Sequence, residues 1–387
     1  MLRALEASFG DEQNVPDRYI LRSARMLSVT GDLLKLDADE PVGCNSDPID
    51  ATIRDRLRNK VVMVTGAAGS IGSELSRQLL QCCPSKLILL DRSETGLFYL
   101  QEELADERTS ICLADYTDAD SMRGALAAHQ VQVIFHAAAY KHVSLMESSP
   151  REALQNNVFG LWRFVNMAED SGCEAFIFTS SDKAVNPTSV LGCTKRIGEL
   201  ILSSRPASRM RCVSVRFGNV LGSQGSVLPI LKKQLAEGKP LTITHPEATR
   251  YFTTAGGAAC LLLQATVVGQ DRNILVLEMG EPVRIIELAR TLVRFSGKPE
   301  GAVKIVFTGL RDGEKLHEQM FYDNELILDT GCARIKQTRS NCMGWHELKQ
   351  HLDELEVATL ELDDVELRSR MRRIVPEYAF ETASQLC

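Results

Sequence analysis

The stretch from Lys60 to Asp91 constrains this chain most tightly. Val61 to Val64 is a short apolar run with the look of a buried strand, TGAAGSIG follows it, and SELSRQLLQCC continues with apolar residues on one helical face. The glycines Gly66, Gly69 and Gly72 allow a tight turn, close approach of backbone N–H groups to a pyrophosphate, and packing of the helix on the strand. The helix N-terminus, at Ser70 and Ile71, then meets the phosphate charge. The next strand, KLILL, ends in Asp91, nineteen residues beyond Gly72. A carboxylate there accepts hydrogen bonds from adenosine ribose hydroxyls and repels a 2′-phosphate, which favours NAD over NADP. Arg92 keeps NADP as the alternative, since a guanidinium can hold a 2′-phosphate.

The alternation of strand and helix continues and predicts an α/β fold, a doubly wound parallel Rossmann sheet whose ligands sit at the C-terminal strand ends. SICLAD ends at Asp115 and Tyr116; Asp115 is either an adenine contact or the N-cap of the helix DADSMRGAL. VQVIF runs into HAAAYKHVSLME, where Ala137, Ala138 and Ala139 let the backbone pass beneath a cofactor, and Lys141, His142 and Glu147 line a sugar site. Asn157 is either a cofactor-side contact or the capping residue of a local bend. The strand Ala175 to Phe178 leads into TSSDKAVNPTSVLGCTK, so that Ser181, Asp182 and Lys183 emerge at a strand end. Lys195, twelve residues past Lys183 on an amphipathic helix, faces the same crevice.

At 387 residues the chain is long enough for two lobes. Residues 1–57 are acidic and irregular, with one short strand in YILRSARMLSVTG, and read as an N-terminal extension. Residues 58–225 read as the NAD-binding domain and 226–387 as a smaller substrate-binding lobe, with about 272–280 returning to the main sheet. The strand Cys212 to Val215 precedes Arg216, Asn219 and the turn-rich LGSQGS, after which Val227 opens a helix. Arg216, Lys232, Lys233, Arg250 and Arg311 are the cations available to a diphosphate, and Arg311 with Glu314 in GLRDGEKLHE suits a ribose and a phosphate. Residues 340–387 read as charged helix without chemistry.

A net charge of −7 argues against general affinity for nucleic acid or anionic membrane. The longest apolar run, ACLLLQATVVG, falls short of the ~18 residues a membrane span needs. Eleven scattered cysteines with no metal-like spacing read as reduced thiols of a cytoplasmic protein, and no metal is expected.

TGAAGSIGSEL, HAAAYKHVSLME, SSDKAVNPTSVLGCTKR, RFGNVLGSQGSV, THPEATRYF, MGEPVRI and GLRDGEKL follow one another across roughly residues 58–325. Together they resemble the extended short-chain dehydrogenase/reductase superfamily, and more narrowly the capsular-polysaccharide type of UDP-N-acetylglucosamine 4,6-dehydratase. The resemblance implies a tightly held nicotinamide cofactor, a UDP-amino sugar as substrate and a homo-oligomer. It implies Lys183 as the base for the sugar C5 proton, Asp182 as the acid for the C6 hydroxyl, and Lys195 on the nicotinamide ribose. For Lys183 to act as a base its amine must titrate far below its free value, through desolvation and neighbouring positive charge. Leu191 stands four residues before Lys195, where the superfamily usually carries tyrosine, and is closer to the retaining subgroup, which has methionine there. Ser181 stands where the family tends to have threonine. With Leu191 unable to take a proton, Asp182 relayed by Ser181 or water is the preferred base for the C4 hydroxyl, with Tyr140 second. The membrane-spanning part of long relatives is absent, and residues 32–42 resemble the segment that precedes their catalytic unit, so a soluble form or catalytic fragment is expected. The rival readings are a nucleotide-sugar 4-epimerase or reductase and a catalytically inactive NAD-binding protein.

Overall fold

A computed structural model describes residues 50–299, 301–339 and 343–380. The apolar runs form parallel strands: β1 (Val61–Thr65), β2 (Lys86–Asp91), β3 (Thr109–Leu113), β4 (Val133–His136), β5 (Ala175–Thr179) and β6 (Arg211–Arg216). They lie in the order β3-β2-β1-β4-β5-β6, the doubly wound arrangement the alternation predicts. Strands β4 and β5 are buried along their whole length, which is why they read as unbroken apolar runs rather than alternating ones. Strand order reverses between β1 and β4, and the crevice beyond their C-terminal ends is where a doubly wound sheet holds its ligand.

Beyond β6 the sheet extends by Asn273–Leu277, parallel to β6, then by Ile335–Arg339 and Leu326–Asp329, both antiparallel. The chain thus returns to the sheet at 273–277 and rejoins it from 326 onward. Helices Trp345–Glu361 and Asp364–Ile374 then pack under the helical layer that includes Val190–Ser204, burying Leu348, Leu352, Leu355, Leu367 and Met371. The smaller cluster, around Leu228, Leu231, Leu241, Ile285 and Leu292, is built from helices Val227–Ala236 and Ile285–Phe295 and the paired strands Leu241–Ile243 and Ile305–Phe307. A lobe of 226–387 therefore differs from the pairing observed, because two short strands and two charged helices with apolar stripes belong to the large core.

At the other end, Ala51–Leu57 is a helix capped by the Asp50 side chain, and its Ile53 and Leu57 are buried in the core behind the sheet. Those residues were expected in the extension and instead pack on the helix Ala255–Val268. The short strand expected in YILRSARMLSVTG and the segment 32–42 lie outside the described residues. Among the described residues no helix is long and apolar enough to cross a membrane.

Candidate active site

Two cavities meet at the C-terminal strand ends. The first, about 500 Å³, runs along the glycine turn; the second, about 260 Å³, lies towards the small cluster. Lys183, Asn219 and His142 line both.

The glycine turn is shaped for close backbone approach. Gly66 has φ +68°, and a Cβ on it would stand 2.8 Å from the Ala138 nitrogen, so the Ala137–Ala139 backbone passes directly against the turn. A Cβ on Gly72 would overlap the Gly66 carbonyl. Asp91 accepts from the Ala68 N–H at 3.0 Å and the Ser93 N–H at 2.9 Å, which fixes the carboxylate at the end of β2 and ties it to the turn. Every cofactor-side residue expected from sequence lines this first cavity: Gly66, Gly69, Ser70, Ile71, Gly72, Asp91, Arg92, Asp115, Tyr116, Ala137, Ala138, Ala139 and Lys195. The fit for a dinucleotide rests on the absence of side chains where its pyrophosphate would lie. Because a Cβ on Gly72 would press on the Gly66 carbonyl and displace the turn, Gly72→Ala is expected to weaken dinucleotide binding at least tenfold, as titration calorimetry would measure.

Arg92 reaches across the cavity wall. Its guanidinium stacks 4.7 Å from the Tyr140 ring and donates to the Tyr140 hydroxyl at 2.9 Å, with Asp115 3.5 Å away. Tyr140 is thereby turned towards Arg92 while still lining the first cavity. Asp115 accepts from Thr117, while the following helix is capped by Asp118, so the N-cap alternative for Asp115 does not hold. Asn157 exchanges hydrogen bonds with the Tyr140 backbone, at 2.9 and 3.0 Å, from within a π-helical turn, Gln155–Gly160. It ties the loop after β4 to this helix and to Thr194, and lines neither cavity.

The reactive turn follows β5. Ser181 caps a short 3-10 turn, Asp182–Ala184, and Gly192 packs so closely on the Lys183 carbonyl that a side chain there has no room. Asp182 is fully buried; its Oδ1 accepts from Ser181 Oγ at 2.8 Å and from Lys183 Nζ at 2.9 Å. Its Oδ2 has no hydrogen-bond partner among the described residues. Lys183 Nζ also donates to Asn219 Oδ1 at 2.9 Å and stands 3.5 Å from Glu318 Oε1. Burial pushes the Asp182 carboxyl above the usual range, and Lys183 only partly offsets it. For Lys183, burial works downward, but Asp182 and Glu318 outweigh it and the net direction is up. The depressed amine expected from sequence is thus not what these surroundings produce, because two carboxylates face it.

Lys195 donates to the Thr179 carbonyl at 2.8 Å and lies 4.8 Å over the Phe178 ring; burial lowers its amine to about 8. Leu191, buried one turn earlier, forms apolar cavity wall.

On the substrate side, Lys141, His142 and Asn219 line the first cavity, while Val227, Arg250, Arg311 and Glu314 line the second. Arg250 and Glu314 are paired at 2.8 Å, and Glu314 also accepts from Thr244 and from the Arg311 N–H. Glu147 lines neither. It accepts from the Val190 N–H at 2.5 Å, capping the helix that carries Lys195, and from Arg368 at 2.6 Å. Arg216 is wholly buried between Glu199 and Glu325, so its charge serves the fold rather than a diphosphate. Lys232 and Lys233 line neither cavity. Sequence reasoning missed Glu318 and Lys315. Their signal was the charge density of GEKLHE without helical periodicity, which marks polar groups held by tertiary contacts.

The family model described as "Polysaccharide biosynthesis protein" matches residues 62–339. The chain is 40% identical over 350 residues to "Probable polysaccharide biosynthesis protein EpsC" of Bacillus subtilis (strain 168), covering 88% of this chain and 58% of that protein. It is 42% identical over 304 residues to "Capsular polysaccharide biosynthesis protein CapD" of Staphylococcus aureus, covering 76% and 50%. The chain thus spans little more than half the length of these relatives. A "UDP-glucose 4-epimerase" of Rickettsia prowazekii is 31% identical over 282 residues, covering 69% and 79%. Among solved structures, Pen from Bacillus thuringiensis superposes with a TM-score of 0.69 at 29% identity, covering 76% of this chain and 90% of that one. DesIV, a dTDP-glucose 4,6-dehydratase from Streptomyces venezuelae solved with NAD bound, shares the fold with a TM-score of 0.60 at 21% identity, covering 67% and 88%. On the family match, these relatives and a Rossmann sheet in common, the chain belongs to the polysaccharide biosynthesis protein family.

Proposed function

We propose that this chain is a nucleotide-sugar 4,6-dehydratase that uses NAD and converts UDP-N-acetylglucosamine to its 4-keto-6-deoxy sugar. The observation that carries the reading is the Lys183 amine at the junction of the two cavities, with the buried Asp182 carboxylate 2.9 Å behind it and Leu191 where a phenol would stand. A bound nicotinamide supplies reversible hydride acceptance, which lets C4 be a ketone while C5 loses its proton.

The chain's own groups do the rest. Transfer of one proton from Lys183 Nζ to Asp182 Oδ1 arms both residues at once, leaving a neutral amine and a neutral carboxylic acid with no change in net charge. Lys183 then takes the C5 proton, the C6–O bond breaks, and the Asp182 proton reaches the departing oxygen through Ser181, which lines the first cavity, so one water leaves. Earlier, the C4 hydroxyl proton passes through Ser181, whose Oγ lies 2.8 Å from Oδ1, to the Asp182 carboxylate and on to solvent in the first cavity. The carboxylate is thus free again when the Lys183 proton arrives; Lys183 finally returns its proton to C5 and regains one from solvent. Lys195 holds the nicotinamide ribose, and Arg250, Arg311 and Glu314 grip the uridine diphosphate in the second cavity.

The test is product mass after incubation with UDP-N-acetylglucosamine. Loss of one water supports the reading. An unchanged mass with inverted C4 supports a 4-epimerase, the second reading, which the likeness to the Rickettsia prowazekii protein favours. In that case the acid and base at C6 and C5 have no work.

A further inference from the structure

We propose that Glu318 is a third member of the reaction cluster, a positioning residue that holds the Lys183 amine at the junction of the cavities and keeps the shared proton on the Lys183–Asp182 pair. The segment Lys315–Glu325 runs against the reactive turn. Lys315 Nζ donates to the Val185 carbonyl at 2.5 Å, the Tyr322 hydroxyl donates to the Ala184 carbonyl at 2.8 Å, and Glu325 accepts from Arg216 at 2.9 Å. Within that segment Glu318 is only 7% exposed, yet it lines the second cavity. Its Oε1 stands 3.5 Å from Lys183 Nζ and its Oε2 3.5 Å from Lys315 Nζ, and Oε2 has no hydrogen-bond partner among the described residues.

A carboxylate serving only to anchor the segment has no cause to lie against the reactive lysine at a cavity wall. A buried carboxylate with a free oxygen is costly, and that cost persists where the charge acts on a neighbour. The groups facing Lys183 are Asp182, Asn219 and Glu318, with Arg250 and Lys315 as the nearby cations. Charge on Glu318 favours the ammonium form of Lys183 and, by repulsion, the protonated form of Asp182. It therefore retains the proton within the cluster.

The inference rests on the dehydratase reading only for where it acts in turnover, and its test does not use turnover. Reductive methylation of Lys183 in the full chain, followed across pH by peptide mass spectrometry, reads the amine directly. Glu318→Gln keeps the shape and removes the charge, so the labelling midpoint is expected to fall by roughly one pH unit, and Glu318→Asp to restore most of it. Lys315→Met removes a competing cation and is expected to raise the midpoint. Thermal unfolding establishes that each variant is folded. A midpoint equal to wild type in folded Glu318→Gln or folded Lys315→Met overturns the proposal. Failure of the dehydratase reading shows separately, as no water lost from the sugar by the wild-type chain.

Discussion

Lys183→Ala is expected to slow water loss from UDP-N-acetylglucosamine by roughly a thousandfold, the contribution of one well-placed proton-transfer group. Exchange of the C5 hydrogen with solvent deuterium, followed by NMR, should stop with it, while binding of NAD at the glycine turn persists. The pH profile carries more information than the loss itself. An amine that gave its proton to solvent would make elimination rise tenfold per pH unit up to its own titration. The Lys183 amine is instead held above its ordinary range, burial being outweighed by Asp182 and Glu318, so solvent does not deliver the free base near neutrality. If the proton passes to Asp182, 2.9 Å away, the pair keeps its net charge and single-turnover elimination is flat across about pH 6–8. A steady tenfold rise per unit over that range would sink the shared-proton step, and full turnover by Lys183→Ala would sink the assignment of the base.

What sequence could reveal about this site divides along one physical line. The glycine turn, Asp91 and Ala137–Ala139 were legible because each answers a local backbone demand: positive φ at Gly66, no space for a Cβ at Gly72, a carboxylate at a strand's end. The turn after β5 was legible for the same reason. Charges were not, since what a charge does depends on its partner, and the partners are remote in sequence. Glu147 looked like a crevice residue among Lys141 and His142, but Arg368, 221 positions away, and the free N–H of Val190 draw it elsewhere. Arg216 looked like a phosphate ligand until Glu325, 109 positions on, closed around it. Glu318 belongs to the same class, and only the fold brings it to Lys183.

The large sheet follows the same division. Parallel strands buried on both faces leave unbroken apolar runs, so β1, β2, β4 and β5 stand out. The two antiparallel strands do not, because Leu326–Asp329 is an exposed edge and Ile335–Arg339 mixes polar and apolar residues. The apolar stripe Leu348, Leu352, Leu355 was present in the sequence, although a charged helix gives no sign of which surface it covers.

Glu199→Ala is expected to be the most destabilising single change below the reactive turn. Glu199 is fully buried and accepts from Arg216 at 2.7 and 2.8 Å, from Arg196 at 3.1 Å and from Ser180 Oγ at 2.7 Å. Removing it strands much of the Arg216 charge in the core, at a cost of about 3–5 kcal/mol. In a chain of this size that lowers the midpoint of thermal unfolding by roughly 4–6 °C, measurable by calorimetry or circular dichroism. Burial pushes the Glu199 carboxyl up, but Arg216 outweighs it and the folded value lies below the ordinary 4.5. The contribution is therefore complete above that pH and is lost as pH falls through the lower, folded value, so the gap between wild type and variant narrows only in acid. Ser180→Ala separates the two jobs of this network: it deletes one hydrogen bond worth about 1 kcal/mol and leaves the ion pairs intact. If Ser180→Ala lowers kcat without changing KM while barely moving the unfolding midpoint, the network aligns the reactive turn as well as stabilising the core. If Glu199→Ala unfolds at the wild-type temperature, the buried arginine has found water or another partner and this account of the core fails.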